Sequence, residues 1–280
     1  MKALVTGSDG TLGRAVCAAL SAKHTVVGTT IDDLDIVRRA DVRSRILAEQ
    51  PDAVIHLAAM TDVDACELRP DEALRINATG TENVALACRE AGCKLLYVST
   101  GSVFNGRSDK PYTEKDTPNP VNSYGISKYR GEQSVRDITD DYLIVRTCWL
   151  YGAGGGKFIP RFMERARRQD SVPVVTDKLG SPTWSHDLAS GICRLLERPT
   201  SGTYHLANAG VAGRFDMARL ILDVTGIRCK LKPVDSSAFP LPAPRPALEA
   251  LESHRLERSD IKPLRRWEKA LTEYLTTIKA

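Results

Sequence analysis

The chain has 280 residues, 42% hydrophobic and 26% charged, enough for two lobes around a sizeable core; a miniprotein and a pure linker are both excluded. Thirty-nine basic residues against 35 acidic ones leave a net charge of only +4, too even for a surface that reads nucleic-acid phosphates. The seven cysteines, at 17, 66, 88, 93, 148, 193 and 229, are odd in number and include no C-x-x-C pair, so reduced thiols are expected.

Residues 1–10, MKALVTGSDG, reach glycine too early for a signal segment, and no later run has the apolar length of a membrane span. A cytoplasmic protein without membrane or nucleic-acid partners is therefore expected. Residues 2–6 form a short apolar run, 7–13 are glycine-rich and 14–22 carry apolar residues at helical spacing, which reads as strand, turn, helix. Further β-rich runs lie at 25–30, 53–58, 94–99 and 142–147, separated by helical patterns at 43–50, 71–91 and 123–137. Nearly all-apolar strands that alternate with helices belong in a parallel sheet covered on both faces, so 1–150 is predicted to be a doubly wound α/β domain.

After Tyr151 the texture changes. A glycine loop, AGGGK at 153–157, precedes a helix at 158–168, and 172–184 mixes short strands with turns. A helix at 185–197 is predicted to pack back on the sheet. The segment FPLPAPRP at 239–246 cannot lie inside a helix or a central strand and reads as a surface loop of fixed shape; 265–278 reads as a closing amphipathic helix. Residues 151–280 are thus expected to form a smaller lobe that shapes a ligand pocket.

Gly7, Gly10 and Gly13 stand in G-x-x-G-x-x-G spacing where the first strand gives way to its helix. Such glycines permit a tight turn and let backbone N–H groups approach a pyrophosphate at the helix N-terminus, where the dipole favours an anion. The bland alternative is an ordinary glycine-rich turn. Dinucleotide choice is usually set at the end of the second strand, where a carboxylate holds the NAD ribose and repels the extra phosphate of NADP. Thr30 stands at that point, and Arg14, Arg38 or Arg39 can supply positive charge, so NADP(H) is preferred. Asp32, Asp33 and Asp35 keep NAD(H) open.

Tyr124 and Lys128 are four residues apart in a helical pattern and so share one face. A nearby ammonium favours phenolate and is expected to lower the phenol pKa, readying Tyr124 to exchange a proton with a carbonyl or alcohol oxygen. A tyrosine and a lysine on a surface helix are the bland reading. Position favours chemistry: a strand ends in Ser99-Thr100 about two dozen residues earlier, at the rim where ligands bind, and Thr100 can hydrogen-bond the same oxygen. His56 reads as a satisfied strand-end histidine. Asp62, Asp64 and Glu67 read as a solvated helix start. The histidines and cysteines show no metal-ligand spacing, and no metal is expected.

These residues resemble the extended short-chain dehydrogenases/reductases and, within them, the dTDP-4-dehydrorhamnose reductases. The likeness covers nearly the whole chain. Besides the glycine loop and Tyr124-x-x-x-Lys128, it rests on Asp35-Ile36, His56-Leu57-Ala58-Ala59-Met60-Thr61, Ser99-Thr100-x-x-Val103-Phe104, Arg146-Thr147-x-Trp149-x-Tyr151-Gly152, Gly180-Ser181-Pro182-Thr183 and Pro242-Ala243-Pro244-Arg245-Pro246. It implies a Rossmann-type sheet and hydride delivery from the nicotinamide to a sugar 4-ketone, with Thr100, Tyr124 and Lys128 as the catalytic set. It further places Gly7, Gly10, Thr11 and Leu12 at the pyrophosphate, Thr30, Asp35 and Ile36 at the adenosine end, and Ala58, Ala59 and Thr61 along the middle of the cofactor. Lys128 would also hold the nicotinamide ribose, Trp149 would lie against the sugar, and Ser102 and Arg245 would border the substrate.

The chain departs from the family pattern at Gly101 and Ser102, where members commonly carry an acid and an aromatic, and at Glu249, where a serine is usual. The expected function is an NADPH-dependent reductase of a nucleotide-linked 4-keto-6-deoxy sugar. A sugar-nucleotide epimerase, and a non-catalytic cofactor-binding subunit resembling the regulatory subunit of methionine adenosyltransferase, are the alternatives. A homodimer is left open.

Overall fold

A strand such as KALVT at 2–6, with no polar face, requires cover on both sides, and the alternation of its side chains shows where each layer comes from. In the computed structural model, which describes residues 1–155, 158–258 and 261–278, the first half of the chain runs β1 (Lys2–Thr6), α1 (Thr11–Ser21), β2 (Thr25–Thr29), α2 (Arg39–Glu49), β3 (Ala53–His56), α3 (Val63–Leu68), α4 (Pro70–Leu74), α5 (Gly80–Ala91), β4 (Lys94–Thr100), α6 (Ser123–Ile138) and β5 (Tyr142–Thr147). The second half adds β6 (Leu150–Tyr151), α7 (Phe158–Arg168), β7 (Ser171–Val175), β8 (Leu179–Gly180), β9 (Thr183–Trp184), α8 (Ser185–Leu196), β10 (Gly202–His205), β11 (Ala212–Gly213), α9 (Arg214–Thr225), β12 (Lys230–Val234), α10 (His254–Arg258) and α11 (Trp267–Thr277). Part of the predicted glycine loop, residues 156 and 157, lies outside the described residues.

Six strands form one parallel sheet in the order β10-β5-β4-β3-β1-β2. Ala3, Val5, Ile55, Leu96, Leu143 and Val145 pack with α1 and α8 on one face. Their sequence neighbours Leu4, Val54, Leu95, Tyr97 and Ile144 pack with α2, α5 and α6 on the other. The period-2 alternation of a strand thus divides each apolar run between two helical layers. The chain steps outward from β1 to β2 and then back across to β3, so the sheet has its topological switch beside β1, where a crevice opens at the carboxyl ends of the strands. The predicted doubly wound sheet is present.

Two features depart from the expected elements. The pattern at 71–91 is not one regular helix: a π turn, Arg75–Thr79, separates α4 from α5. Asn77 within it is buried, accepts the Met60 N–H at 2.8 Å and donates to Met60 O and Ser127 Oγ, each at 2.9 Å, so the turn serves as a brace against α6. The sixth strand, β10, is only four residues long, too short for its alternation to stand out in the sequence. A second core joins α7, α9 and α11 through Phe162, Met163, Met217, Ile221, Leu271 and Leu275. The Pro-rich segment is tied down, with Asn122 Nδ2 donating to Pro244 O at 2.9 Å and Arg245 paired with Asp64 at 2.9 Å.

Helix α6 is fastened to the sheet by a buried charge cluster. Glu132 is fully buried and accepts from Arg146 Nε and Nη2 at 2.8 and 2.6 Å, from Ser99 Oγ at 2.6 Å and from Arg136 Nη2 at 2.7 Å. Removing one partner of such a cluster strands the others in a low-dielectric interior. Glu132→Ala is expected to cost about 3–5 kcal/mol in urea unfolding, and Glu132→Leu combined with Arg146→Met to recover much of that loss.

Candidate active site

The glycine loop is shaped by close contact. Gly7 has φ of +67°, and a Cβ there would meet Ala58 N at 2.9 Å; a Cβ on Gly13 would meet Gly7 O at 2.1 Å. The loop therefore presses α1 against the ends of β1 and β3. Gly10 is the N-cap of α1 and offers no side-chain cap, which leaves the first-turn N–H groups to an anion. A cavity of about 840 Å³ runs from this cradle past the ends of β3, β4 and β5 into the second lobe. The buried Thr147 Oγ1 lines the same cavity and has no protein hydrogen-bond partner. A backbone anion cradle and a polar atom facing a long cleft fit a dinucleotide.

At the far end of the cleft, Asn122 caps α6 by accepting the Gly125 N–H at 2.8 Å. A Cβ at Gly125 would lie 2.2 Å from Ser102 O, so the start of α6 is pressed onto the turn that follows β4. This contact sets Tyr124 beside Thr100, and the two side chains line the same cavity. The Ser102 N–H in turn donates to Thr100 Oγ1 at 3.1 Å. Lys128, one helical turn further, is 4% exposed, with its ammonium 4.2 Å from the centre of the Tyr97 ring.

Burial dominates the titration of this set. It pushes the Tyr124 phenol well above its ordinary value, with the Thr100 hydrogen bond pulling the other way. It lowers Lys128 to about 7, opposed by the Glu132 carboxylate one turn on. The expectation that the ammonium acidifies the phenol is corrected: burial raises the phenol, and the opposing pull comes from Thr100 rather than from Lys128. His56, lowered to about 3 by burial and by Lys128, is neutral between Thr6 Oγ1 at 2.8 Å and Thr81 Oγ1 at 3.1 Å, as a satisfied strand-end histidine should be.

Of the residues singled out from sequence, Gly7, Gly10, Thr11, Leu12, Ala58, Ala59, Thr61, Thr100, Ser102, Tyr124, Lys128, Trp149 and Arg245 all line the cavity. Thr30, Asp35 and Ile36 are not among its lining residues. Thr30 is held by Asp33, which accepts both its N–H at 3.0 Å and its hydroxyl at 2.9 Å. Asp35 accepts the Val37 N–H at 3.0 Å, and Ile36 is buried in the core against Gly80.

Sequence reading missed Arg214, at the start of α9. Its guanidinium lies 3.9 Å from the centre of the Trp149 ring and faces the cavity; burial lowers its pKa to about 10, opposed by Cys148 and Glu249. Nothing around Gly213-Arg214-Phe215 marks it, because only the tertiary fold brings α9 to the indole. Lys178, also missed, lines the cavity and donates to Arg245 O at 3.1 Å. Among the described residues, no group of three or more His, Cys, Asp or Glu side chains is placed to hold a metal, and no helix is long and apolar enough to cross a membrane.

The family model described as the RmlD substrate binding domain matches residues 1–280. A dTDP-4-dehydrorhamnose reductase of Mycolicibacterium smegmatis is 37% identical over 280 residues, covering 98% of this chain and 85% of that one. The crystal structure of a dTDP-4-dehydrorhamnose reductase from Clostridium acetobutylicum superposes with a TM-score of 0.98 at 36% identity, covering all of both chains. That of a dTDP-4-dehydrorhamnose reductase from Bacillus anthracis, in complex with NADP, gives 0.95 at 34% identity, over 100% of this chain and 99% of that one.

The depressed pKa of Lys128 has a signed consequence for stability. The folded protein holds this proton less tightly than the unfolded chain, whose lysine titrates near 10.5. The charged form therefore destabilises the fold fully below pH 7, and the penalty fades as pH rises from about 7 towards 10.5. Lys128→Met is expected to raise the melting temperature most at pH 6 to 7 and progressively less at pH 8 and 9 in a series of thermal melts. A constant gain across that range would contradict the assignment.

Proposed function

The chain belongs to the RmlD substrate binding domain family, that of the dTDP-4-dehydrorhamnose reductases, and from that premise we propose that it is an NADPH-dependent reductase of a dTDP-linked 4-keto-6-deoxy sugar. The observation that carries the reading is that Thr100, Tyr124 and Lys128 line one cleft together with the glycine cradle, the partly buried phenol keeping its proton. NADPH, when bound, supplies the hydride.

Each residue's part follows from its place. Gly7, Gly10, Thr11 and Leu12 present backbone and first-turn N–H groups to the pyrophosphate, and Ala58, Ala59 and Thr61 flank the middle of the cofactor. Thr100 donates a hydrogen bond to the ketone oxygen. Tyr124 gives that oxygen its proton as negative charge develops there, and its raised pKa keeps the proton in place until then. Lys128 in its charged form stabilises the same developing charge and holds the nicotinamide ribose. The substrate diphosphate is met by Arg214, Lys178 and Arg245, which line the second-lobe side of the cavity, and Trp149 offers its ring to the sugar. Thr30, Asp35 and Ile36, placed outside the described cavity, are read as the adenosine end. Residues 1–150 hold the cofactor with help from the helix at 185–197, and 151–280 the sugar. The seven cysteines are free thiols, which supports a cytoplasmic setting.

A panel of 4-keto sugar nucleotides with NADPH and NADH in parallel tests the reading: stoichiometric NADPH oxidation is expected. Cofactor bound without net oxidation would point to epimerisation. Tyr124→Phe is expected to lower kcat by about 10²–10⁴-fold while leaving NADPH affinity intact by fluorescence titration. Unchanged turnover would remove Tyr124 as the acid.

A further inference from the structure

The sugar end of the cleft contains a carboxylate that the roles above leave without a task. Glu249 follows the Pro-rich segment, and its N–H donates to Leu179 O at 2.9 Å, which ties it to the second lobe. Its carbonyl lies so close to β4's following turn that a Cβ at Gly101 would meet Glu249 O at 2.7 Å. A side chain at 101 has no room there, so the turn after Thr100 contributes no acid of its own and Glu249 delivers one from across the cleft.

That carboxylate is 9% exposed and lines the cavity together with Thr100 and Tyr124. One oxygen accepts from the Ser102 hydroxyl and the other from Trp149 Nε1 at 2.9 Å. A carboxylate accepts about four hydrogen bonds and donates none, so both oxygens keep acceptor capacity after these two. Arg214, stacked on the indole that Glu249 holds, brings a positive charge to the same wall of the cleft. Ser102 sets the reach. Its N–H is bonded to Thr100 Oγ1 and its hydroxyl to Glu249, so the acid sits one residue's span from the hydroxyl that meets the ketone.

We propose that Glu249 is a specificity-determining residue which accepts a hydrogen bond from a free hydroxyl on the carbon adjacent to the reacting ketone, so that the enzyme selects 3-hydroxy 4-keto sugars over their 3-deoxy counterparts. This rests on the reductase reading. The hydroxyl is the natural partner because the held carboxylate offers only acceptors, and an analogue without that donor leaves a desolvated acceptor unpaired.

The test compares the parent enzyme, Glu249→Gln and Ser102→Ala on a dTDP-4-keto-6-deoxy sugar and its 3-deoxy analogue, with thermal melting and NADPH titration as checks of folding. The parent is expected to prefer the hydroxylated ketone by about 100-fold in kcat/KM, the scale of one hydrogen bond to a charged group. Glu249→Gln is expected to lose most of that preference by slowing the hydroxylated substrate alone, and Ser102→Ala, which untethers the carboxylate, to lose part of it. Equal losses on both substrates would mark Glu249 as merely structural and overturn the role, as would a parent that reduces both ketones equally well. If Glu249→Gln does not fold, an unchanged ratio in Ser102→Ala overturns the role by itself. A parent that reduces neither ketone overturns the function, and the role falls with it.

Discussion

The buried carboxylate of Glu132 governs the geometry on which the chemistry depends. It stands on α6 eight residues after Tyr124 and four after Lys128, so the three side chains form one stripe along the helix. By accepting from Arg146 on β5 and Ser99 on β4, it fixes the rotation of α6 against the strands whose ends carry Thr100 and Thr147. Asn77 braces the same helix through Ser127, and Asn122 ties its first turn to the Pro-rich segment. Helix α6 is held at its N-cap Asn122, at Ser127 and at Glu132. A phenol that must stay within hydrogen-bond reach of a threonine on another element needs that degree of restraint.

The same cluster also tempers the electrostatics. Lys128 and Tyr124 are both withdrawn from water, and burial disfavours the charged form of each. For the phenol this suits the proposed role, since a proton donor must remain protonated. For the lysine it works against the proposed role, which uses the ammonium, because burial brings its pKa to about 7. The negative charge of Glu132 acts against that loss. A structural ion cluster and the cation to which a catalytic role is proposed thus share one helix, and one acid acts on both.

Much of this was legible in the sequence, for reasons that differ between parts. The strands β1 and β5 stand out because apolar runs of the right length are bounded by turn residues, and the helix α7 because its apolar residues 159, 162, 163 and 166 recur at helical spacing. Gly7 is legible because only a residue without Cβ can approach Ala58 so closely. Tyr124 and Lys128 are legible because helical spacing is a local property. What escapes is set by residues far apart in the chain. Arg214 reaches Trp149 across some 65 positions, and Asn77 reveals its bracing role only through a π turn that no periodicity announces. The direction of the Tyr124 shift escapes for the same reason: charge proximity can be counted along a helix, whereas burial depends on everything packed around it.

Gly101 and Glu249 show how such long-range dependence shapes the pocket. Read one at a time, a glycine at 101 and an acid at 249 are two unrelated departures from the pattern of similar reductases. In the fold they meet: the carbonyl of Glu249 occupies the space that a side chain at 101 would need. The carboxylate of the same residue is then gripped by Ser102 and Trp149. Thr100, Tyr124 and Lys128 lie on β4 and α6, elements fastened to the sheet, whereas this acid arrives on the segment after the Pro-rich loop, tied to Leu179. Substrate preference can therefore be altered by the crossing segments while Thr100, Tyr124 and Lys128 keep their mutual geometry.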